Sequence, residues 1–231
     1  MPVLIVAATQ VEVSVLCEQL QFRYSINNQI KRYGYNDGCV DVLITGVGMA
    51  ATAYHLGKAL SLEKYSLVIN AGIAGAFNTD VFKLGEVVNI KKEIFADMGA
   101  EDGAQFLNIF DLQLQDKNEF PFIEGCLIND SDLSEITCLN HFKIGSSITV
   151  NTCHGNEISI EKVREKYSAD LESMEGASVF YVCLMEKVPF LQIRTISNKI
   201  ERRNRQNWNI PLAVNNLNAA LYQIIKQISQ R

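Results

Sequence analysis

Glu12 follows Thr9 by three residues at the end of an apolar run, and the mouth of a buried strand is where α/β proteins assemble their sites. The stretch Thr9-Gln10-Val11-Glu12 also fits a capping box, in which Glu12 bonds back to the Thr9 amide; spacing alone leaves both roles open. Two further carboxylates stand around an expected helix start in Glu172-Ser173-Met174-Glu175-Gly176-Ala177. Acidic residues in a first helical turn commonly serve only as dipole partners, and Glu172 is read that way. Glu175 differs if the strand after Pro189 delivers Asn198 to the same pocket, because one carboxylate can accept bonds from two vicinal hydroxyls.

Two glycine-rich stretches, Gly46-Val47-Gly48 and Gly72-Ile73-Ala74-Gly75, let backbone approach a ligand and offer it amides. Tight packing of helix on sheet explains them equally well. Neither fits GxxxxGK[ST], and no GxGxxG follows the first apolar run, which argues against a dinucleotide-binding oxidoreductase. The three histidines, His55, His141 and His154, have no partner that suggests a triad or a metal site and are read as structural or surface residues. No serine lies in a GxSxG context and no cysteine has a signature flank, so neither covalent catalysis, a metal nor a cofactor is expected.

These residues must be positioned by elements that alternate β-rich runs with helical patterns, the mark of an α/β layered domain. Residues 2–8 read as a strand buried on both faces. Residues 10–20 then place Val13, Leu16, Cys17 and Leu20 three and four apart, as on a helix with one inward face. Strands at 30–35 and 40–45 are joined by Asn36-Asp37-Gly38, a hairpin signal that makes the sheet mixed. A small-residue helix is expected at 49–60 and a buried strand at 67–70, with Gly72 to Ala76 as its exit. Further strands are expected at 87–94, 122–128, 144–150 and 190–196, and helices at 158–167 and 174–186. A last amphipathic helix carries Leu217, Leu221, Ile224, Ile225 and Ile228. Residues 95–103 read as a long loop, 108–135 are the least legible, and 197–210 are expected to form a loop over a site.

The 231 residues fit one domain with a sizeable core. With 21 Lys+Arg against 26 Asp+Glu, the formal charge of −5 argues against nucleic acid or an anionic membrane as principal partner and favours a small molecule. Six scattered cysteines are read as reduced thiols. The apolar start lacks a positive n-region and no stretch reaches a membrane-spanning length, so a cytoplasmic protein is expected.

Four segments in order, residues 3–13 with Glu12, Asn70-Ala71-Gly72-Ile73-Ala74-Gly75-Ala76-Phe77, Met174-Glu175-Gly176-Ala177 and Ile193-Arg194-Thr195-Ile196-Ser197-Asn198, resemble the landmarks of the superfamily of purine nucleoside phosphorylases and methylthioadenosine/S-adenosylhomocysteine nucleosidases. The resemblance spans nearly the whole chain. It implies a single domain over residues 1–231, a three-layer sandwich whose mixed, partly barrel-like sheet is flanked by helices, and a homodimer. It also implies that Glu12 activates a water, that Glu175 after Met174 holds ribose hydroxyls, and that Gly46 and Ile73-Ala74-Gly75 lie beside the nucleoside. The adenine-specific members carry Asp where Asn198 stands. A carboxamide offers a donor and an acceptor together, which suits a 6-oxopurine such as hypoxanthine.

The run from Ser197 to Ile210, together with Ala96-Asp97-Met98-Gly99-Ala100-Glu101-Asp102-Gly103 and Thr149-Val150-Asn151-Thr152, is similar to futalosine hydrolases. Those enzymes release hypoxanthine from futalosine on a route to menaquinone. The resemblance implies substrate contacts at Val150, Asn151 and Thr152, with Arg203 or Arg205 for the benzoate of the substrate, although a solvated charged loop accounts for either arginine as well. The rivals are a purine nucleoside phosphorylase, a methylthioadenosine/S-adenosylhomocysteine nucleosidase and a non-catalytic nucleoside-binding domain.

Overall fold

A computed structural model describes residues 1–36 and 38–228. The chain opens with β1 (Val3–Ala7), buried throughout, and α1 (Gln10–Gln19), then turns through β2 (Gln21–Ser25), β3 (Ile30–Tyr35) and β4 (Gly38–Ile44). Tyr35 pairs with Gly38 across the expected hairpin, with Asn36 at φ 49°; Asp37 of that turn lies outside the described residues. After α2 (Met49–Leu62) come β5 (Leu67–Ala76) and β6 (Val87–Phe95), a small hairpin of β7 (Gly99–Asp102) and β8 (Gln105–Asn108), and β9 (Leu127–Ile128). The last third holds β10 (Lys143–Thr149), α3 (Glu157–Tyr167), β11 (Leu171–Ser173), α4 (Gly176–Met185), β12 (Phe190–Lys199) and α5 (Ile210–Ile228).

The main sheet runs β11-β10-β6-β12-β5-β1-β4-β3-β2, and β11 also pairs with β5. That second pairing closes β5, β12, β6, β10 and β11 into a five-stranded ring with β1 to β4 as its open wing. Parallel pairs (β1 with β4 and β5, β12 with β5) and antiparallel ones (β12 with β6, β11 with β5) make the sheet mixed. Helices α1 and α5 cover one face over Ile5, Ile69, Leu191 and Ile193, while α2 and α4 cover the other over Leu4, Val68, Val88 and Ile90. The three-layer, partly barrel-like arrangement is the expected one. On α5 the apolar stripe Leu217, Leu221, Ile224 and Ile225 is buried to within 1%, each side chain stabilising by about 1.5–3 kcal/mol. Among the described residues no helix is long and apolar enough to cross a membrane.

Local departures from the sequence expectations have physical causes. β2 gives no period-2 signal because all five of its residues are exposed. Residues 95–103 are not a loop throughout, since β7 pairs with β8 in an outlying hairpin that buries no face of its own. Residues 122–128 hold only the short β9, because Glu124 (φ 48°) and Gly125 (φ 74°) turn Ile123 back onto Cys126. The helix expected from 174 starts at Gly176, which leaves Glu172 in a strand and not in a first helical turn. The supposed exit Gly72 to Ala76 is itself strand, and β12 continues through a bulge to Lys199, so Ser197 and Asn198 belong to the sheet.

Candidate active site

The carboxylate of Glu12 has two tasks. Its Oε2 accepts from Thr9 N (2.9 Å) and Thr9 Oγ1 (3.0 Å), as a capping residue does, while Oε1 accepts from Ile73 N (3.2 Å) at the far end of β5. Capping and site placement are thus one geometry. The backbone beneath is fixed from α5: the buried Asn218 accepts from Leu16 N (2.8 Å) and donates to Glu12 O (2.9 Å), so its carboxamide spans the two groups that ordinarily bond each other within a helix.

Glu175 enters from the opposite side. It precedes α4 and its Oε1 accepts from the Gly48 amide (2.9 Å), presented by a backbone at φ 98° that favours glycine. Burial pushes the Glu175 carboxyl above the usual carboxylate range and Glu12 adds to that push; Arg194 and the Gly48 amide pull it back. The guanidinium of Arg194 comes from the middle of β12, 2% exposed, and lies over Gly72, its register partner on β5. A Cβ at Gly72 would sit 2.0 Å from Arg194 Nη1 and 3.1 Å from Glu12 Oε1, so the missing side chain is what lets cation and carboxylate approach. Arg194 Nε and Nη2 have no hydrogen-bond partner among the described residues.

Beyond Ile73 the same strand carries Gly75, which pairs with Asn198 of β12 and with Glu172 of β11. Asn198 Oδ1 accepts from Ser197 Oγ (2.8 Å) and its Nδ2 donates to Lys199 O (2.9 Å), which holds the carboxamide while each atom keeps capacity for one more bond. Glu172, only 5% exposed, accepts from His154 N (2.9 Å) and from His154 Nδ1. Sequence reading set both residues aside. The pairing joins positions 18 apart, and no local spacing reveals it.

Of the remaining candidates, Met174 and Ala74 flank Glu175 and Gly75 in the chain, Gly46 donates its amide to Ala8 O (3.1 Å), and Val150 is fully buried against α3. The Asn151 amide donates to Asp97, which ties the two motifs of that region together, and Thr152 is exposed. The residues after β12 pack beside Gly155; Arg203 and Arg205 are both exposed, and Arg203 stacks on Trp208 (5.2 Å to the ring centre) and lies close enough to Cys153 to act on its thiol.

Beneath the site, Glu93 is wholly buried. It accepts from Gln192 Nε2 (2.6 Å) and Thr149 Oγ1 (2.9 Å); Gln192 Oε1 accepts in turn from Asn70 (2.6 Å), and Thr149 Oγ1 from the Ala177 amide (2.7 Å). Burial pushes the Glu93 carboxyl up, against the pull of Gln192 and Arg194. Gly176 is required where α4 crosses it, since a Cβ there would fall 1.9 Å from Glu93 Oε1.

The family model of the phosphorylase superfamily matches residues 2–227. A futalosine hydrolase of Acidothermus cellulolyticus is 31% identical over 186 residues, 78% of this chain and 72% of that protein. A 5'-methylthioadenosine/S-adenosylhomocysteine nucleosidase of Tolumonas auensis is 26% identical over 97% of this chain and 98% of its own. Among solved structures, a nucleosidase of the latter kind from Colwellia psychrerythraea, in complex with adenine, superposes with a TM-score of 0.79 at 20% identity, covering 98% of this chain and 95% of the other.

Proposed function

The chain belongs to the phosphorylase superfamily, and from that membership we propose that it is an N-ribosyl hydrolase that cleaves futalosine to hypoxanthine and dehypoxanthine futalosine. The observation that carries the reaction class is the convergence of Glu12, Glu175 and Arg194 on the end of β5, two carboxylates held by backbone amides with a buried cation between strands. In this reading the bond from C1′ to the purine breaks first and the ribose becomes oxocarbenium-like. Glu175 bonds the ribose hydroxyls and supports the positive charge. Glu12 takes one proton from the water whose oxygen joins C1′, and Asn198 bonds the departing purine. A carboxamide cannot deliver a proton, so the purine anion is protonated from solvent. Arg194 pulls the Glu175 carboxyl towards its ionised form against the push of burial.

Hydrolysis is favoured over phosphorolysis because the early glycine-rich strand exits bring no arginine for a phosphate, and the Gly48 amide there donates to Glu175. Futalosine is supported by the 31% identical relative and by Asn198, with Arg203 or Arg205 on the segment after β12 as the partner for its benzoate. The nucleosidase relative that aligns over 97% of the chain supports a second reading, cleavage of methylthioadenosine or S-adenosylhomocysteine. Incubation with futalosine, inosine and methylthioadenosine, with and without phosphate, separates them by chromatography of the free base. Phosphate-independent hypoxanthine from futalosine is expected; release that requires phosphate, or adenine formed in preference, refutes the proposal.

A further inference from the structure

The geometry points to Glu172 as the residue that reads the far edge of the purine, accepting the N1–H that a 6-oxopurine carries and an adenine lacks. The inference rests on the hydrolase reading above and names what sets its base specificity. Three strands supply the argument. Glu172 on β11 is directly opposite Gly75 on β5, and Asn198 on β12 is the neighbour of Gly75 on its other side. Directly paired residues project to the same face of a sheet, so a carboxylate and a carboxamide stand on one face with a glycine between them, about 10 Å apart from Cα to Cα at two strand spacings. A Cβ at Gly75 would lie 2.8 Å from Ile200 Cγ1 and 3.2 Å from Asn198 Nδ2, so the buried Ile200 and that amide stand over the glycine together, Ile200 as an apolar wall beside the amide. Gly75 and Asn198 are both partly exposed while the flanking Ala74 and Ala76 are buried, so the row opens towards a ligand. A planar base laid in this slot meets the amide along one edge and the carboxylate along another.

The carboxylate is prepared for that contact. His154 donates its backbone N–H to Oε1 and is bonded through Nδ1 to Oε2, so one contact holds each oxygen and each retains a further acceptor site. Hypoxanthine presents N1–H as a donor beside O6, and a fixed carboxylate satisfies it. Adenine presents a lone pair at N1, which would face the carboxylate with no proton between them. A site built around a particular N–H rejects the analogue that leaves its buried acceptor unpaired. Among the described residues no basic residue except His154 pairs with Glu172, and it caps no helix.

The test measures kcat/KM for futalosine and for its 6-amino analogue, with calorimetric titration of hypoxanthine, 1-methylhypoxanthine and adenine. Glu172→Ala is expected to lower kcat/KM for futalosine about 100-fold or more and to shrink the preference for the 6-oxo substrate at least about tenfold. Glu172→Gln, which can turn an N–H towards adenine N1, should shift the preference further towards the 6-amino substrate, and His154→Ala should shift it the same way by less. Wild-type protein should bind 1-methylhypoxanthine at least about 100-fold more weakly than hypoxanthine, a readout that needs no variant to fold. If the wild type prefers the 6-oxo substrate, yet both Glu172 variants keep that preference or the methylated base binds as well as hypoxanthine, the role of Glu172 is overturned and the hydrolase reading stands. If the wild type prefers the 6-amino substrate, the reading itself fails and takes the inference with it.

Discussion

Arg194 and Gln192 lie two residues apart on the same face of β12, equally buried, and their surroundings treat them in opposite ways. Around Gln192, Glu93, Thr149 and Asn70 form a chain in which each side chain has a partner. Around Arg194, two nitrogens have none, and the nearby carboxylates Glu12 and Glu175 hold backbone amides instead. Leaving a guanidinium buried and under-bonded costs far more than leaving a neutral oxygen so, as at Thr195 Oγ1 or Asn89 Oδ1. A fold retains such a cost where it serves a reaction. Burial of polar residues therefore divides into two kinds here: the saturated chain is structure, and the unsaturated cation a few ångströms up the strand is the one the proposed reaction would use.

The sharpest way to break this contrast is Glu12→Gln, which keeps the shape and a hydrogen bond to Ile73 but removes the base. Turnover is expected to fall about 10²–10⁴-fold or more with the thermal midpoint little changed, and near wild-type turnover would sink the assignment. Arg194→Met comes next. It should lower kcat about 10²–10³-fold, by the scale of a lost preorganised charge, while stability stays level or rises because a buried under-bonded cation is replaced by an apolar chain. A loss of stability that accounts for the loss of activity would place Arg194 with the structural group. Glu93→Ala is the converse. It orphans Gln192 Nε2 and Thr149 Oγ1 and leaves a cavity under α4, at an expected cost of about 2–4 kcal/mol in urea unfolding. Any fall in kcat should then recover on conditions that refold the variant, and unchanged stability would show that the chain is not load-sharing.

How much of this was legible in the sequence follows from the same distinction. β1, α1, α2 and α5 announce themselves because each has one apolar stripe or a continuous apolar run, and Glu12 could be placed because it falls at a strand mouth. β2, β7 and β8 have no buried face and so no period to read. Glu175 and Asn198 came from the family resemblance, since spacing alone did not bring them together. Arg194 carries no local signal, because nothing near it in sequence says that it lies against Gly72, a partner 122 residues away fixed only by the β5–β12 register. Glu172 escapes for a similar reason: its spacing fits the start of a helix, and the register that puts it opposite Gly75 depends on ring closure.

The smallest effect tests the saturated chain through its protonation. Burial raises the Glu93 carboxyl in the folded protein above its unfolded value of about 4.3. The folded state then binds the proton more readily than the unfolded state, so the unfolded chain carries fewer protons between the two values and stability falls as pH rises through that window. The penalty is absent below the unfolded value and complete above the folded one. Glu93→Gln cannot ionise, keeps an oxygen for Gln192 Nε2 and offers an N–H to Thr149 Oγ1, so it should lack this part of the pH dependence. Urea midpoints measured at half-unit steps from pH 4 upwards are expected to decline less steeply for the variant than for the wild type. Parallel profiles would mean that Glu93 ionises as easily inside the fold as outside it, which its bonds to neutral partners alone cannot explain, and would assign the compensating charge to Arg194. In that case Glu93 on β6 and Arg194 on β12 are one electrostatic unit, and the division between structure and chemistry would have to be drawn on the site side of Arg194 and not below it.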